Sequence, residues 1–228
     1  DVSLGTLNTV RHATVAEGNT VTGRSMSEMR GYSAFTSALP QTEATGALGE
    51  SLLFYSNNHL LHHTPSISSN RKTFTWSGWF KFHDTGSHVL FESGDTGGDN
   101  YIGLRLNTSN KFYVAEGRPA TNGYLATTNE IAIDLSSWYH CVLAVDTRGD
   151  TSLTGLTKFR LYVNGIELPL IATNTTLPAN QDLGINTSAY RNCVGRSART
   201  DPYADWLNGV IADVKFIDGK QLRPDSFG

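Results

Sequence analysis

The chain has 228 residues, of which 39% are hydrophobic and only 17% charged, and a net charge of −3. That length holds one large domain plus an extension, and the slightly acidic balance, with no Lys/Arg run, excludes a general nucleic-acid binder, which needs a basic surface to displace counterions. No apolar run approaches the ~18 residues that span a bilayer, so membrane insertion is not expected, and abundant Gly, Ser, Thr and Asn favour turns and short strands over helices.

Residues 1–50 carry scattered Thr, Ala, Gly and Ser with few sustained periodic runs. They read as an extended N-terminal arm, an assembly segment rather than a domain. Val10, Val15, Val21, Tyr32, Phe35 and Leu39 give it more apolar anchors than a plain linker requires. The chain opens at Asp1 with no signal-peptide pattern, which leaves room for residues upstream. A domain is expected over 51–228. Ser51–Ser56 opens it, and Leu60–Pro65 (LLHHTP) predicts a short second strand. Arg71–Phe82 alternates with period two, placing Phe74, Trp76, Phe80 and Phe82 on one face and Thr73, Thr75, Trp79 and Lys81 on the other. His88–Glu92 precedes the Gly-rich loop Ser93–Asn100, and Tyr101–Leu106 and Lys111–Ala115 read as a strand pair.

The last third continues with Ser137–Asp146 (SWYHCVLAVD), a buried β-run, and Phe159–Leu168, in which Asn164-Gly165 separates two alternating stretches. That dipeptide tolerates positive φ at both central turn positions and is a strong hairpin signal. Asn192–Arg196 and Leu207–Asp218 complete the strands. Strict alternation would point Ile102, Leu104, Leu106, Phe112, Val114, Phe159, Leu161, Val163, Val210, Ala212, Val214 and Phe216 into a core. Turn signals recur at short spacing with no long helical pattern, so the expected fold is an all-β sandwich of two antiparallel sheets.

The order W-Y-H (138–140), Y-V-N-G (162–165), V-G-R (194–196), then G-V-I-A-D-V-K-F (209–216) resembles the laminin-G/pentraxin group of concanavalin A-like jelly rolls. Phe74–Lys81 (FTWSGWFK) fits the same group, and the ending Phe216–Gly228 (FIDGKQLRPDSFG) is similar to the terminus of concanavalin-like domains in tail-fibre and other virion proteins of tailed phages. The resemblance covers roughly residues 50–228. It implies a non-enzymatic structural or adhesion protein on a phage virion surface, a tail-fibre, receptor-binding or capsid-decoration protein, with other virion proteins, further copies of itself and cell-surface glycans as partners. The alternative is a cellular, extracellular laminin-G-like lectin. A glycan-cleaving enzyme is the third reading.

Alternation also gives the polar faces, where Trp79, Tyr101, Arg105, Tyr113, Arg160 and Tyr162 are the candidate binding residues. Aromatic rings and guanidinium groups stack on sugar rings and bond their hydroxyls, and the same composition serves a protein–protein interface. No catalytic residue is assigned. The two-carboxylate run Glu-x-Asp-x-x-Glu that places nucleophile and acid on one strand is missing, as is a Gly-x-Ser-x-Gly elbow. No cofactor is expected, with calcium the one metal considered. In pentraxins an Asp-Asn pair supplies part of a calcium site, and Asp99-Asn100 stands at the matching place with Asp95 nearby. The second half of that site would fall on Ser197-Ala198-Arg199, which has no carboxylate, so a single ion at Asp95 or Asp99 competes with a loop in which these side chains cap their own backbone. His62 and His63, adjacent on a strand, face opposite sides and cannot grip one metal together. Cys141 and Cys193, each on a predicted strand, are expected as buried free thiols, with a cross-strand bridge between them as the alternative.

Overall fold

The computed structural model describes residues 12–15, 19–22, 34–35, 51–55, 59–98, 100–118, 121–149, 158–172, 177–199 and 205–227. The described chain forms sixteen strands and one short 3-10 turn, Pro224–Ser226. In chain order these are β1 His12–Val15, β2 Asn19–Thr22, β3 Ala34–Phe35, β4 Ser51–Phe54, β5 Leu61–His63, β6 Thr73–Phe82, β7 His88–Gly94 and β8 Tyr101–Leu106. They continue with β9 Phe112–Arg118, β10 Thr121–Thr127, β11 Tyr139–Asp146, β12 Phe159–Val163, β13 Ile166–Leu168, β14 Ile171–Ala172, β15 Arg191–Val194 and β16 Gly209–Asp218.

Two antiparallel sheets result, ordered β14-β10-β9-β8-β7-β15-β5-β1-β2 and β13-β12-β11-β6-β16-β4-β3. This is the expected jelly-roll sandwich. Among the described residues no helix is long and apolar enough to cross a membrane. From the 1–50 segment, β1 pairs with β5 at Thr14↔His62 and Val15↔Leu61, while β3 pairs with β4, so the segment adds strands to both sheets.

The core follows from the alternation. Phe74, Trp76, Phe80 and Phe82 of β6 meet Ile102, Leu104, Leu106, Phe112 and Val114 of the facing sheet, all fully buried. Trp76 stacks on Phe91 with centroids 5.5 Å apart, and Phe74 stacks on Phe216 at 5.4 Å. The Asn164-Gly165 turn has φ values of 51° and 80°, the left-handed pair that a tight hairpin demands, and it closes the register Val163↔Ile166.

Among the residues expected in the core, strict alternation fails in β16. Val210 and Ala212 were expected to point inward; instead Ile211 joins the core cluster and Ala212 pairs beside Trp79 on the outer side. The cause is a β-bulge between Ala212 and Lys215, with Asp213 at φ 44°. One extra residue reverses the side-chain phase, and Val214 and Phe216 resume the inward face. Strands β10 and β14 were not foreseen. Asn122-Gly123 interrupts the apolar pattern of β10, and the β10–β9 register shifts between Thr121 and Tyr124. Cys141 and Cys193 are buried free thiols, as expected, and burial pushes the Cys193 thiol up to about 12.

Candidate functional site: an aromatic groove beneath the C-terminal segment

The final strand β16 lies in the middle of the seven-stranded sheet, so the chain leaving it must run over a sheet face. Gly219, at φ 75°, turns it onto the outer face. Thr75 Oγ1 of β6 donates to the Lys220 carbonyl at 2.7 Å and accepts the Leu222 N–H at 2.8 Å. Further on, Phe227 packs against Val142, Ala144 and Tyr162 of β11 and β12. The segment 219–227 therefore straps the outer face from β6 to β12.

Between this strap and the β12–β13 hairpin lies an open groove of about 670 Å³. Trp79, Trp138, His140 and Tyr162 form its sheet side, Asn164 and Gly165 its hairpin side, and Arg223, Pro224 and Asp225 its strap side. Trp79 and His140 are Cα partners across β6 and β11, and their rings stack with centroids 4.8 Å apart at 18°. Asn164 fixes the hairpin end: its Oδ1 accepts the His140 N–H at 2.8 Å, and its own N–H donates to the His140 carbonyl at 2.8 Å. Tyr162 is 5% exposed, and among the described residues its hydroxyl has no hydrogen-bond partner.

The six candidate binding residues do not share one face. Trp79, Arg160 and Tyr162 belong to the seven-stranded sheet, and Tyr101, Arg105 and Tyr113 to the other. Trp79 and Tyr162 line the groove, whereas Arg160 lies 3.9 Å from Glu167 of the hairpin. On the opposite face Arg105 is only 3% exposed. It ion-pairs with the fully buried Glu92 and, at 2.7 Å, with Asp205. Glu92 Oε1 accepts the Ala198 N–H at 2.9 Å and lies 3.5 Å from Arg199 Nε. Gly103 makes this burial feasible, since a side chain there would meet the Glu92 carboxylate at 3.2 Å. Burial alone would lower the Arg105 guanidinium, but the charges of Glu92, Tyr113 and Asp205 override it and hold the pKa above its ordinary value. Tyr101 carries the Arg199 guanidinium 4.7 Å from its ring centroid, and burial raises the Tyr113 phenol. Arg105 and Tyr101 thus contact residues that follow β15, and Arg105 does not form a free surface.

Asp95 is a loop cap. Its Oδ1 accepts the Gly98 N–H at 2.6 Å, and its Oδ2 accepts the Asn100 N–H at 3.0 Å and the Asn100 side-chain amide at 3.3 Å. Asp99 lies outside the described residues. A calcium ion takes six to eight oxygens, and in the described part of this set both Asp95 oxygens are engaged by N–H groups. Among the described residues no group of three or more His, Cys, Asp or Glu could hold a metal ion.

Ser77 and His140 invite a hydrolase comparison. Ser77 Oγ lies 2.8 Å from His140 Nε2, with the imidazole tautomer setting the donor, and Asp213 acts on His140 electrostatically. Ser77, however, is 1% exposed, and the Asp213 carboxylate bonds Lys215 Nζ at 2.6 Å. A sealed serine cannot attack a substrate.

Residues 55–224 match a laminin-G-type model of the concanavalin A-like lectin/glucanases superfamily. The chain belongs to this superfamily. No curated protein matches it in sequence. Among solved structures, this concanavalin A-like chain is similar to mouse laminin α1 domains LG4-5, with TM-score 0.54, 16% identity, and 81% of this chain covering 46% of that one. It is also similar to the CBM40 of the Ruminococcus gnavus IT-sialidase bound to α2,3-sialyllactose, with TM-score 0.51 and 13% identity over 73% of this chain and 94% of that one. A third is NanB sialidase of Streptococcus pneumoniae, with TM-score 0.52 and 18% identity over 77% of this chain but only 27% of the sialidase. At these identities the likeness is one of fold.

Trp79 and Tyr162, candidates read from a polar sheet face, line the groove, whereas Trp138, His140, Asn164, Arg223 and Asp225 were not among the candidates. Asn164 was read for its turn and the last two for their place in a family-like ending. The available signal was topological: a polar and aromatic tail after a central strand must cover a sheet face.

Proposed function

We propose that the protein is a non-catalytic carbohydrate-binding adhesion module carried on the surface of a tailed-phage virion, with the groove as its glycan site. The observation that supports this most is the groove itself: two half-buried tryptophans and a tyrosine, with the Asn164 amide, the Arg223 guanidinium and the Asp225 carboxylate at its rim. Indole faces stack on the C–H faces of sugar rings, and amide, guanidinium and carboxylate groups bond their hydroxyls. Membership of a lectin/glucanase superfamily and the fold likeness to a CBM40 seen with sialyllactose support the same reading. Cleavage is disfavoured because the two-carboxylate mechanism needs a facing pair, and the groove lining contains one carboxylate, Asp225.

The virion placement rests on the similarity of Phe216–Gly228 to virion-protein endings, and on short strands from residues 1–50 that pair along sheet edges, a mode open to assembly between copies or with other virion proteins. A cellular extracellular lectin would use the same groove. Glycan-array binding with the intact chain and with Trp79→Ala tests the site. Binding that falls at least tenfold in the variant supports it; glycan binding unchanged in the variant, or none at all, overturns it. Light scattering on the chain with and without residues 1–50 tests the assembly role, for which an oligomer that falls to monomer is the expected result.

A further inference from the structure

The polar groups of the groove are unequal in kind. Arg223 contributes a guanidinium with five N–H donors, and among the described residues that guanidinium has no hydrogen-bond or ion-pair partner. Asn164, which lines the groove, has committed its Oδ1 to the His140 N–H, which leaves its Nδ2 donors uncommitted by that bond. Tyr162, a buried residue of the floor, adds a hydroxyl with no partner among the described residues. Leaving such a group unpaired is costly, so a ligand atom that reaches it recovers that cost. Against these donors stands one acceptor-only group, Asp225. The lining is donor-rich.

A donor-rich aromatic groove matches a ligand that is acceptor-rich and ring-shaped. A planar guanidinium is also complementary to a planar carboxylate, with which it makes two parallel charge-assisted hydrogen bonds. Arg223 is exposed and lies one residue from the 3-10 turn that fixes Pro224 and Asp225. Its backbone is thereby held by the strap while its side chain remains available. The net charge of −3 argues against diffuse attraction of polyanions, so selection of an anion would be local, at this one side chain.

Resting on the glycan-binding reading, we infer that the groove recognises an acidic sugar, a pyranose bearing a carboxylate, and that Arg223 is the residue that reads the carboxylate. Trp79 and Trp138 supply the ring contact, which is indifferent to charge. Arg223 supplies the discrimination between acid and neutral forms.

The test uses the intact chain and a panel of oligogalacturonate, oligoalginate and α2,3-sialyllactose, each paired with its methyl ester, which keeps the rings and removes the charge. Binding is measured by calorimetry. The expected result is at least tenfold tighter binding of one or more acids than of the matching esters, a preference abolished in Arg223→Gln with ester binding retained, and loss of both acid and ester binding in Trp79→Ala. Equal binding of acids and esters overturns the inference while the glycan site stands. So does a preference that survives Arg223→Gln. Binding of neither form to the intact chain, on this panel and on a neutral glycan array, removes the glycan reading itself.

Discussion

The outer faces of the two sheets carry similar residues and use them in opposite ways. On the nine-stranded sheet Arg105 is drawn into ion pairs with Glu92 and Asp205, and Tyr101 into contact with Arg199. Across the molecule, Trp79 and Tyr162 meet Arg223 and Asp225, whose charges find no partner among the described residues. Period-two alternation assigns both sets to outward faces and goes no further. What separates structure from function is the segment that crosses each face. One brings complementary charges and consumes the guanidinium; the other brings a cation and an anion that leave an open groove between themselves and the hairpin.

The sharpest way to break the comparison is to remove a charge from the sealed face. Glu92→Gln leaves Arg105 buried without its closest counter-charge, and breaking one side of a buried ion pair costs about 3–5 kcal/mol. A large fall in Tm is expected by calorimetry, with glycan affinity per folded molecule unchanged; a neutral outcome would show that Asp205 alone satisfies Arg105. On the open face the effects should invert. Trp79→Ala should weaken glycan binding at least tenfold, about 1.4 kcal/mol, while lowering Tm by much less than Glu92→Gln. Should both variants act on stability alone, the two faces would be equivalent and the groove a packing feature.

The sandwich was legible because burial and alternation are local to each strand. Phe74, Trp76, Phe80 and Phe82 face inward as their spacing requires, and Asn164-Gly165 forms the turn its backbone freedom allows. Less visible was anything set by residues distant in sequence. The bulge at Asp213 reverses half of β16 with no Gly or Pro to mark it. Arg105 looked like a surface arginine because its partners Glu92 and Asp205 lie 13 and 100 positions away. In the groove, Trp79 and Tyr162 were visible as outward aromatics, whereas Arg223 and Asp225 enter only through the path of the strap, which depends on β16 being central.

Acid should expose a third difference. His140 beneath the groove and His62 on the opposite sheet are both held below their ordinary 6.5, chiefly by burial, and so is His88 at the rim of the core, where burial outweighs Asp84. Around His140 the charges are opposed, Asp213 favouring its protonation and Lys215 resisting it; around His62, Arg191 and His63 both resist. A lowered folded pKa means that the unfolded chain binds protons first, so this stability is complete above about pH 6.5 and is lost as the pH falls below it. Asp84 and Asp146, lowered from 3.8, add a second loss that begins only below that value. Tm measured from pH 8 to pH 3 should therefore be flat, then fall in two stages, and a curve flat down to pH 4 would show the histidines to be uninvolved.

The smallest effect expected is that of a chelator, and it bears on the loop between β7 and β8. If Asp95 acts as a cap, the work of holding the loop is done by three N–H groups on one carboxylate, and EDTA should change neither Tm nor glycan affinity. Asp95→Ala should then lower Tm by about 1 kcal/mol equivalent, the usual cost of a lost cap, with or without calcium present. A Tm that rises on adding calcium to the chelated protein, and fails to rise in Asp95→Ala, would reverse the assignment. The carboxylate would then be turning away from the loop's own N–H groups to meet an ion with Asp99 and Asn100, and the sealed face would have a ligand of its own.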